Sequence, residues 1–130
     1  MNEEQRRLAC AALLIEVAII DNEFDFDEFA ALRAILQNQF GITAEDCDAL
    51  VTLAQSECEE STSMYQFTQL VNEHCSPEEK CDLVQGMWSI AYADGELDKY
   101  EEYVIRKVAE LIYVSHADFI KAKHLARVEA

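Results

Sequence analysis

The chain predicts an all-α fold, a single bundle of about seven helices, and three observations carry that prediction. Only 3 glycines and 1 proline occur in 130 residues, so turn chemistry is scarce and the connections are few. Apolar residues recur at helical spacing along nearly every segment, and no stretch shows a strand pattern. Finally, an acidic helix–turn–helix unit occurs twice. Asp21-Asn22-Glu23-Phe24-Asp25-Phe26-Asp27-Glu28 and Asp94-Gly95-Glu96-Leu97-Asp98-Lys99-Tyr100-Glu101 both carry carboxylates at the spacing D-x-E-x-D-x-x-E. A shift of 73 positions overlays Ala18 on Ala91, Asp21 on Asp94, Glu28 on Glu101 and Arg33 on Arg106. After a one-residue slip, Ile42 falls on Val114, Thr43 on Ser115 and Asp46 on Asp118. Such self-similarity marks an internal duplication. The length and the 51% hydrophobic content suit one domain over residues 1–130 with a sizeable core.

The first helix is expected over roughly 3–20. Leu8, Ala12, Ile15 and Ile19 recur on one face, and Ala11, Val17 and Ala18 widen the stripe, so this helix belongs at the centre of the bundle. The second begins after Asp25, a capping residue with Glu28 three positions on. It buries Phe29, Leu32, Ile35 and Leu36, and it stops at Gly41. Thr43 caps the third helix, with Glu45 and Asp46 in its positive first turn and Leu50, Leu53 and Ala54 facing inward. Its acidic end, Glu57 to Glu60, is expected to fray into a flexible link over 61–63. Ser63 and Gln66 read as the capping pair of a fourth helix over 64–74, with Tyr65, Phe67, Leu70 and Val71 as its apolar bulk. Ser76-Pro77-Glu78-Glu79 is the clearest helix start in the chain: cap, proline at the first position, acid at the third. That fifth helix carries Val84, Met87, Trp88 and Ala91 to about residue 93, and Gly86 within it marks either a close helix approach or a local cost. The sixth helix is expected to bury Tyr100, Val104, Val108 and Leu111, with Arg106 and Lys107 outward. Ser115 and Asp118 open the seventh, which turns Phe119, Ala122 and Ala126 inward. Lys121, Lys123, His124 and Arg127 gather there as a basic patch.

Charge limits the partners. With 26 acidic residues against 10 basic, the formal net charge is −16. Such a surface repels nucleic acid and anionic lipid, and it attracts cations or basic protein faces. The apolar run over 8–20 is broken by Glu16, is too short to span a bilayer and lacks a cleavage signature, so no membrane insertion is expected and the protein reads as cytoplasmic. The five cysteines are odd in number and form no C-x-x-C pair, which suits buried, reduced thiols rather than a disulfide framework or a zinc site. Cys75 and Cys81 flank a helix start and are the one pair placed closely enough in sequence to meet on oxidation, although reduced thiols remain the expectation.

The signature Ala91-Tyr-Ala-Asp94-Gly95-Glu96-Leu97…Glu101, with its degenerate copy at Asp21…Glu28, resembles the TerB-like domain. That family includes tellurite-resistance proteins and the N-terminal part of a membrane-anchored J-domain co-chaperone. The resemblance covers roughly residues 8–125. It implies an all-helical, non-enzymatic module linked to tellurite or metal stress, with a role in cation binding or protein assembly. Asp94, Gly95 and Glu101 match the family pattern directly, and Asp21 and Glu28 match through the repeat. Asn22 stands where the second copy has Gly95, and asparagine also enters left-handed conformations. No J-domain and no anchor accompany these residues, so the co-chaperone role does not transfer.

The acidic elbows admit two accounts. Hard cations such as Ca²⁺ or Mg²⁺ take several oxygen ligands, and Asp21, Glu23, Glu28, Asp94, Glu96 and Glu101 are the candidate ligands. Neither elbow is an EF-hand: the twelfth positions are Leu32 and Ile105, and the sixth are Phe26 and Lys99 rather than glycine. The plainer account makes Asp25 with Glu28, and Asp98 with Glu101, helix caps, leaving the other carboxylates solvated. No histidine follows a glutamate by three residues as in helical di-metal enzymes, and neither a phosphate loop nor a G-x-S-x-G turn occurs. No cofactor is therefore required and no enzymatic activity is expected. Two functions remain: a TerB-like stress-response module that holds a divalent cation, or an ion-independent adaptor that docks protein partners.

Overall fold

The computed structural model describes residues 2–18, 26–60, 63–93 and 99–129. Within them lie seven helices: α1 Asn2–Ala18, α2 Phe26–Phe40, α3 Ala44–Glu60, α4 Tyr65–His74, α5 Pro77–Tyr92, α6 Lys99–Leu111 and α7 His116–Glu129. No strand is present among the described residues, so the all-α expectation holds.

The duplication is visible in the packing. α1, α2 and α3 form one unit, α5, α6 and α7 the other, and α4 joins them. α1 packs on α3 as α5 packs on α7, and α1 meets α6 as α5 meets α2. α1 and α5 are the paired central helices. Ala9 to Ile15 are all buried, as are Leu83, Val84, Met87, Trp88, Ile90 and Ala91. The central place expected for α1 is correct, although Leu13 and Leu14 join the expected stripe, because α1 is covered on several sides.

Local chemistry sets the ends of the helices. Ser76 forms a capping box: its Oγ accepts from the Glu79 N–H at 3.1 Å, and its own N–H donates to Glu79 Oε1 at 2.8 Å. Thr43 Oγ1 accepts from the Asp46 N–H, and Ser115 Oγ accepts from the Asp118 N–H, at 3.1 and 3.2 Å. Gly41 stops α2 at φ +61°, the left-handed region that glycine enters without a Cβ clash. The equivalent stop after α6 falls on Tyr113 at φ 62°. There the Val114 N–H bonds back to the Ala109 carbonyl and the Tyr113 N–H to the Glu110 carbonyl, the two bonds of a Schellman stop.

Helix directions follow from contacts along their lengths. Arg6 and Arg7, early in α1, lie 5.1 and 5.7 Å from the ring of Phe40 at the end of α2, so α2 runs back along α1. The Gln39 amide donates to the Asp82 carbonyl at 3.2 Å, and a Cβ on Gly86 would stand 3.2 Å from Ile35 Cγ2, so α2 is also antiparallel to α5. α1 and α5 therefore point the same way, with Arg6 bound to Glu79 near their starts and Leu14 beside Gly86 further on. Lys80 Nζ lies 5.9 Å from the ring of Tyr113, which returns α6 along α5. The ends of α1 and α5 and the starts of α2 and α6 thus share one end of the bundle.

Several expectations on individual faces are corrected. α3 buries Cys47, Val51 and Ala54, whereas Leu53 is 52% exposed and Leu50 only half-buried. The inward face is turned from the one expected because a small cysteine meets α2 closely: Cys47 Sγ donates to the Arg33 carbonyl at 3.7 Å. α6 buries Glu101, Ile105, Val108 and Ala109, with Tyr100 67% exposed and Leu111 half-buried. The buried face starts one residue later than periodicity predicts, on Glu101 rather than Tyr100. In α4, Phe67, Thr68 and Val71 are buried and Tyr65 is exposed. The cap position is Met64, whose side chain makes no cap bond, while Ser63, one residue before the cap, accepts from the Tyr65 N–H through Oγ at 3.3 Å. α3 stays helical to Glu60, and of the link expected to flex over 61–63, residues 61–62 lie outside the described residues.

Candidate functional site

Of the six candidate ligands, Asp21, Glu23, Asp94 and Glu96 lie outside the described residues, as do the caps Asp25 and Asp98. Glu28 and Glu101 are described, and both are nearly buried, at 6 and 5% exposure. Each sits in the first turn of the helix that follows an acidic elbow, at repeat-equivalent positions. Both starts lie at the end of the bundle where α1 and α5 terminate. The helix dipole favours a carboxylate in a first turn, which offsets part of the cost of taking a charge out of water.

Glu16 lies near the same end, two residues before α1 finishes at Ala18. Burial holds its carboxyl above the usual glutamate range, opposed by a hydrogen bond with Cys58. The Cys58 thiol is pushed up to about 12, by burial first and then by the Glu16 charge. That thiol packs against α1, where Sγ donates to the Ala12 carbonyl at 3.5 Å. Among the described residues, no three His, Cys, Asp or Glu side chains converge as a metal cluster.

A second feature is apolar and was not anticipated. Leu8, Ile42, Leu50 and Leu53 line a groove of about 480 Å³ between the start of α1 and α3, edged by Glu4, Arg7 and Asp46. The signal for it was present as Leu53, one position off the α3 core stripe, but was read as core. In the C-terminal basic patch, Lys121, His124 and Arg127 are exposed, while Lys123 Nζ lies 5.0 Å from the Trp88 ring. Trp88 and Phe119 are core, as expected.

This arrangement defines a duplicated three-helix architecture whose elbow-flanking glutamates are paired by symmetry. Residues 7–124 match the family model described as "Tellurite resistance protein TerB", and the chain belongs to that family. The TerB-like resemblance read from the Asp94–Glu101 signature is thereby confirmed. A crystal structure of a protein of unknown function from Porphyromonas gingivalis W83 is similar, with a TM-score of 0.71 at 18% identity. The match covers 96% of this chain and 95% of that one, and it shows a shared fold. No curated protein matches the chain. No described helix is long and apolar enough to cross a membrane.

Proposed function

We propose that this TerB-family chain is a non-enzymatic, cytoplasmic module of the tellurite or metal-stress response, and that its two acidic elbows hold a divalent cation, Ca²⁺ or Mg²⁺. The observation that carries the reading is the shared placement of Glu28 and Glu101: nearly buried, related by the repeat, and at one end of the bundle. In sequence, Asp21, Glu23, Asp94 and Glu96 belong to the stretches that lead into those two helices, and carboxylate oxygens are the ligands that hard cations take.

Melting in Ca²⁺, Mg²⁺ or Mn²⁺, against NaCl at matched ionic strength, tests it. The matched salt is essential because a chain of net charge −16 gains stability from screening alone. A site of ~1 µM affinity adds about 4 kcal/mol at ~1 mM ion, on the order of 10 °C in Tm for a domain this size. The increment should disappear in Asp21→Asn/Asp94→Asn. No increment over NaCl, or one that the double variant retains, refutes the cation site.

The groove on α1 and α3 favours the second reading, an ion-independent adaptor. Leu53 and its neighbours offer an apolar strip with a charged rim, a surface on which the apolar face of a partner helix can lie. That reading predicts melting indifferent to divalent cations.

A further inference from the structure

We propose that the apolar groove between α1 and α3 takes α7 of a second copy of this chain, so that copies associate head to tail. The two surfaces are related by the duplication. The offset that sets Asp46 on Asp118 also sets Leu53 on Leu125. Among the described residues, the exposed large apolar side chains are four tyrosines and these two leucines, at 52 and 44% exposure. Each leucine lies on the outer face of the third helix of its unit.

The two faces carry opposite charge. Leu53 shares its groove with Leu8, Ile42 and Leu50, and the charged rim is Glu4, Arg7 and Asp46. Arg7 is already bound to Glu3 at 3.2 Å, whereas no described cation pairs with Glu4 or Asp46. Around Leu125, α7 exposes Lys121, His124 and Arg127 where α3 has Ala49, Thr52 and Gln55. No described carboxylate pairs with Lys121 or Arg127. Asp118 stands in the first turn of α7, well before Leu125. One leucine thus has an acidic rim left unpaired within the molecule, and its repeat equivalent has a basic one.

Charge complementarity selects the occupant. Two copies of net charge −16 repel wherever their acidic faces meet. The α7 patch is where a second copy presents cations beside an exposed apolar side chain. At physiological salt, repulsion across more than about 8 Å is screened, while ion pairs at a partly desolvated rim are screened much less. A helix laid by its apolar anchor into a groove is a common mode of recognition, and Leu125 supplies that anchor. Docking leaves the core intact, because α7 packs on α5 through its opposite face, Phe119, Ala122 and Ala126. Groove and patch are different surfaces of one chain, so the contact is heterologous.

The proposal takes its groove from the adaptor reading. Melting in divalent cations tests that reading, and sedimentation equilibrium of the full chain in EDTA tests this one. The mass of the wild type should rise with concentration up to ~1 mM. Leu53→Ser and Leu125→Ser, both at exposed positions and neutral in charge, should each stay monomeric. An equimolar mixture of the two should recover a 1:1 pair, because one variant keeps the patch and the other keeps the groove. Lys121→Gln with Arg127→Gln should weaken wild-type association at least about tenfold. Lys99→Gln with Lys107→Gln, an equal change of net charge at exposed positions on α6, should leave it unchanged. The proposal is overturned if the wild type stays monomeric, if the mixed serine variants stay monomeric, or if the two pairs of charge changes act equally. The wild-type and charge-variant results stand even if a serine variant folds poorly.

Discussion

The two halves of the molecule solve one packing problem with different residues. In the first, α2 stops on Gly41; in the second, α6 stops on Tyr113, at nearly the same positive φ. In the first, Arg33 pairs with Asp48 across α2 and α3, and a small buried Cys47 fills the contact. In the second, Arg106 lies 5.2 Å from the ring of Phe119, the residue equivalent to Cys47. On the central helices, Leu13 in α1 corresponds to Gly86 in α5, where Ile35 of α2 presses in. Backbone geometry and helix order are kept while side-chain volume and charge pairing diverge. The duplicated scaffold therefore tolerates exchange of volume across an interface, provided the neighbour compensates. The features common to both halves are the hydroxyl caps on Thr43 and Ser115 and the buried glutamates 28 and 101.

The largest way to break this comparison is to impose the first half's residue on the second. Gly86→Leu copies Leu13, but a Cβ alone would already stand 3.2 Å from Ile35 Cγ2 and 3.4 Å from Leu14 Cδ2. Overpacking of this kind should cost about 3 kcal/mol in denaturant unfolding. Ile35→Ala should recover part of that cost when combined with it, although alone it destabilises. Additive losses would show that the two sites are uncoupled.

A smaller test exchanges the helix stops. Gly41→Ala should cost about 1 kcal/mol, because the left-handed conformation burdens any residue with a Cβ. Tyr113→Gly should move the other way by about 0.5–1 kcal/mol, since the ring is 82% exposed and its loss gives up the Lys80 contact at a solvated site. Equal signs for the two changes would mean that the stops are not equivalent.

The smallest effect depends on pH. Glu16 corresponds to Ser89 in the second half, so only the first half carries a partly buried titrating group at this position. The folded carboxyl is held above its unfolded value near 4.5, so the folded chain binds its proton more tightly. Its favourable contribution is complete below about pH 4.5 and is lost as pH rises through the folded value. Glu16→Gln should therefore raise Tm slightly at pH 7, and the advantage should vanish as pH falls below 4.5. An advantage that persists in acid would assign the effect to packing rather than charge.

Much of the fold was legible because its signals are local. The Ser76 capping box, the Thr43 and Ser115 caps and the Gly41 stop each depend on residues within four positions of one another. The misread faces were those where the partner, not the helix, chooses. Helical spacing points Tyr100 inward, yet Glu101 takes the buried place next to it. Leu53 was read inward by period, yet α3 turns Cys47 and Val51 toward its neighbours and leaves Leu53 on a groove. Of the candidate site, the sequence named Glu28 and Glu101 through the repeat, but nothing local revealed that both are nearly buried.

By itself, the sequence determined that the chain is helical, duplicated, strongly acidic and of the TerB kind, because helix ends, periodicity and repeats are written in short-range patterns. Only the tertiary structure decided that α1 and α5 run side by side in one direction, which gathers both elbow-flanking glutamates at one end. Those juxtapositions arise from packing between residues tens of positions apart, where burial and shape complementarity act and local spacing carries no information.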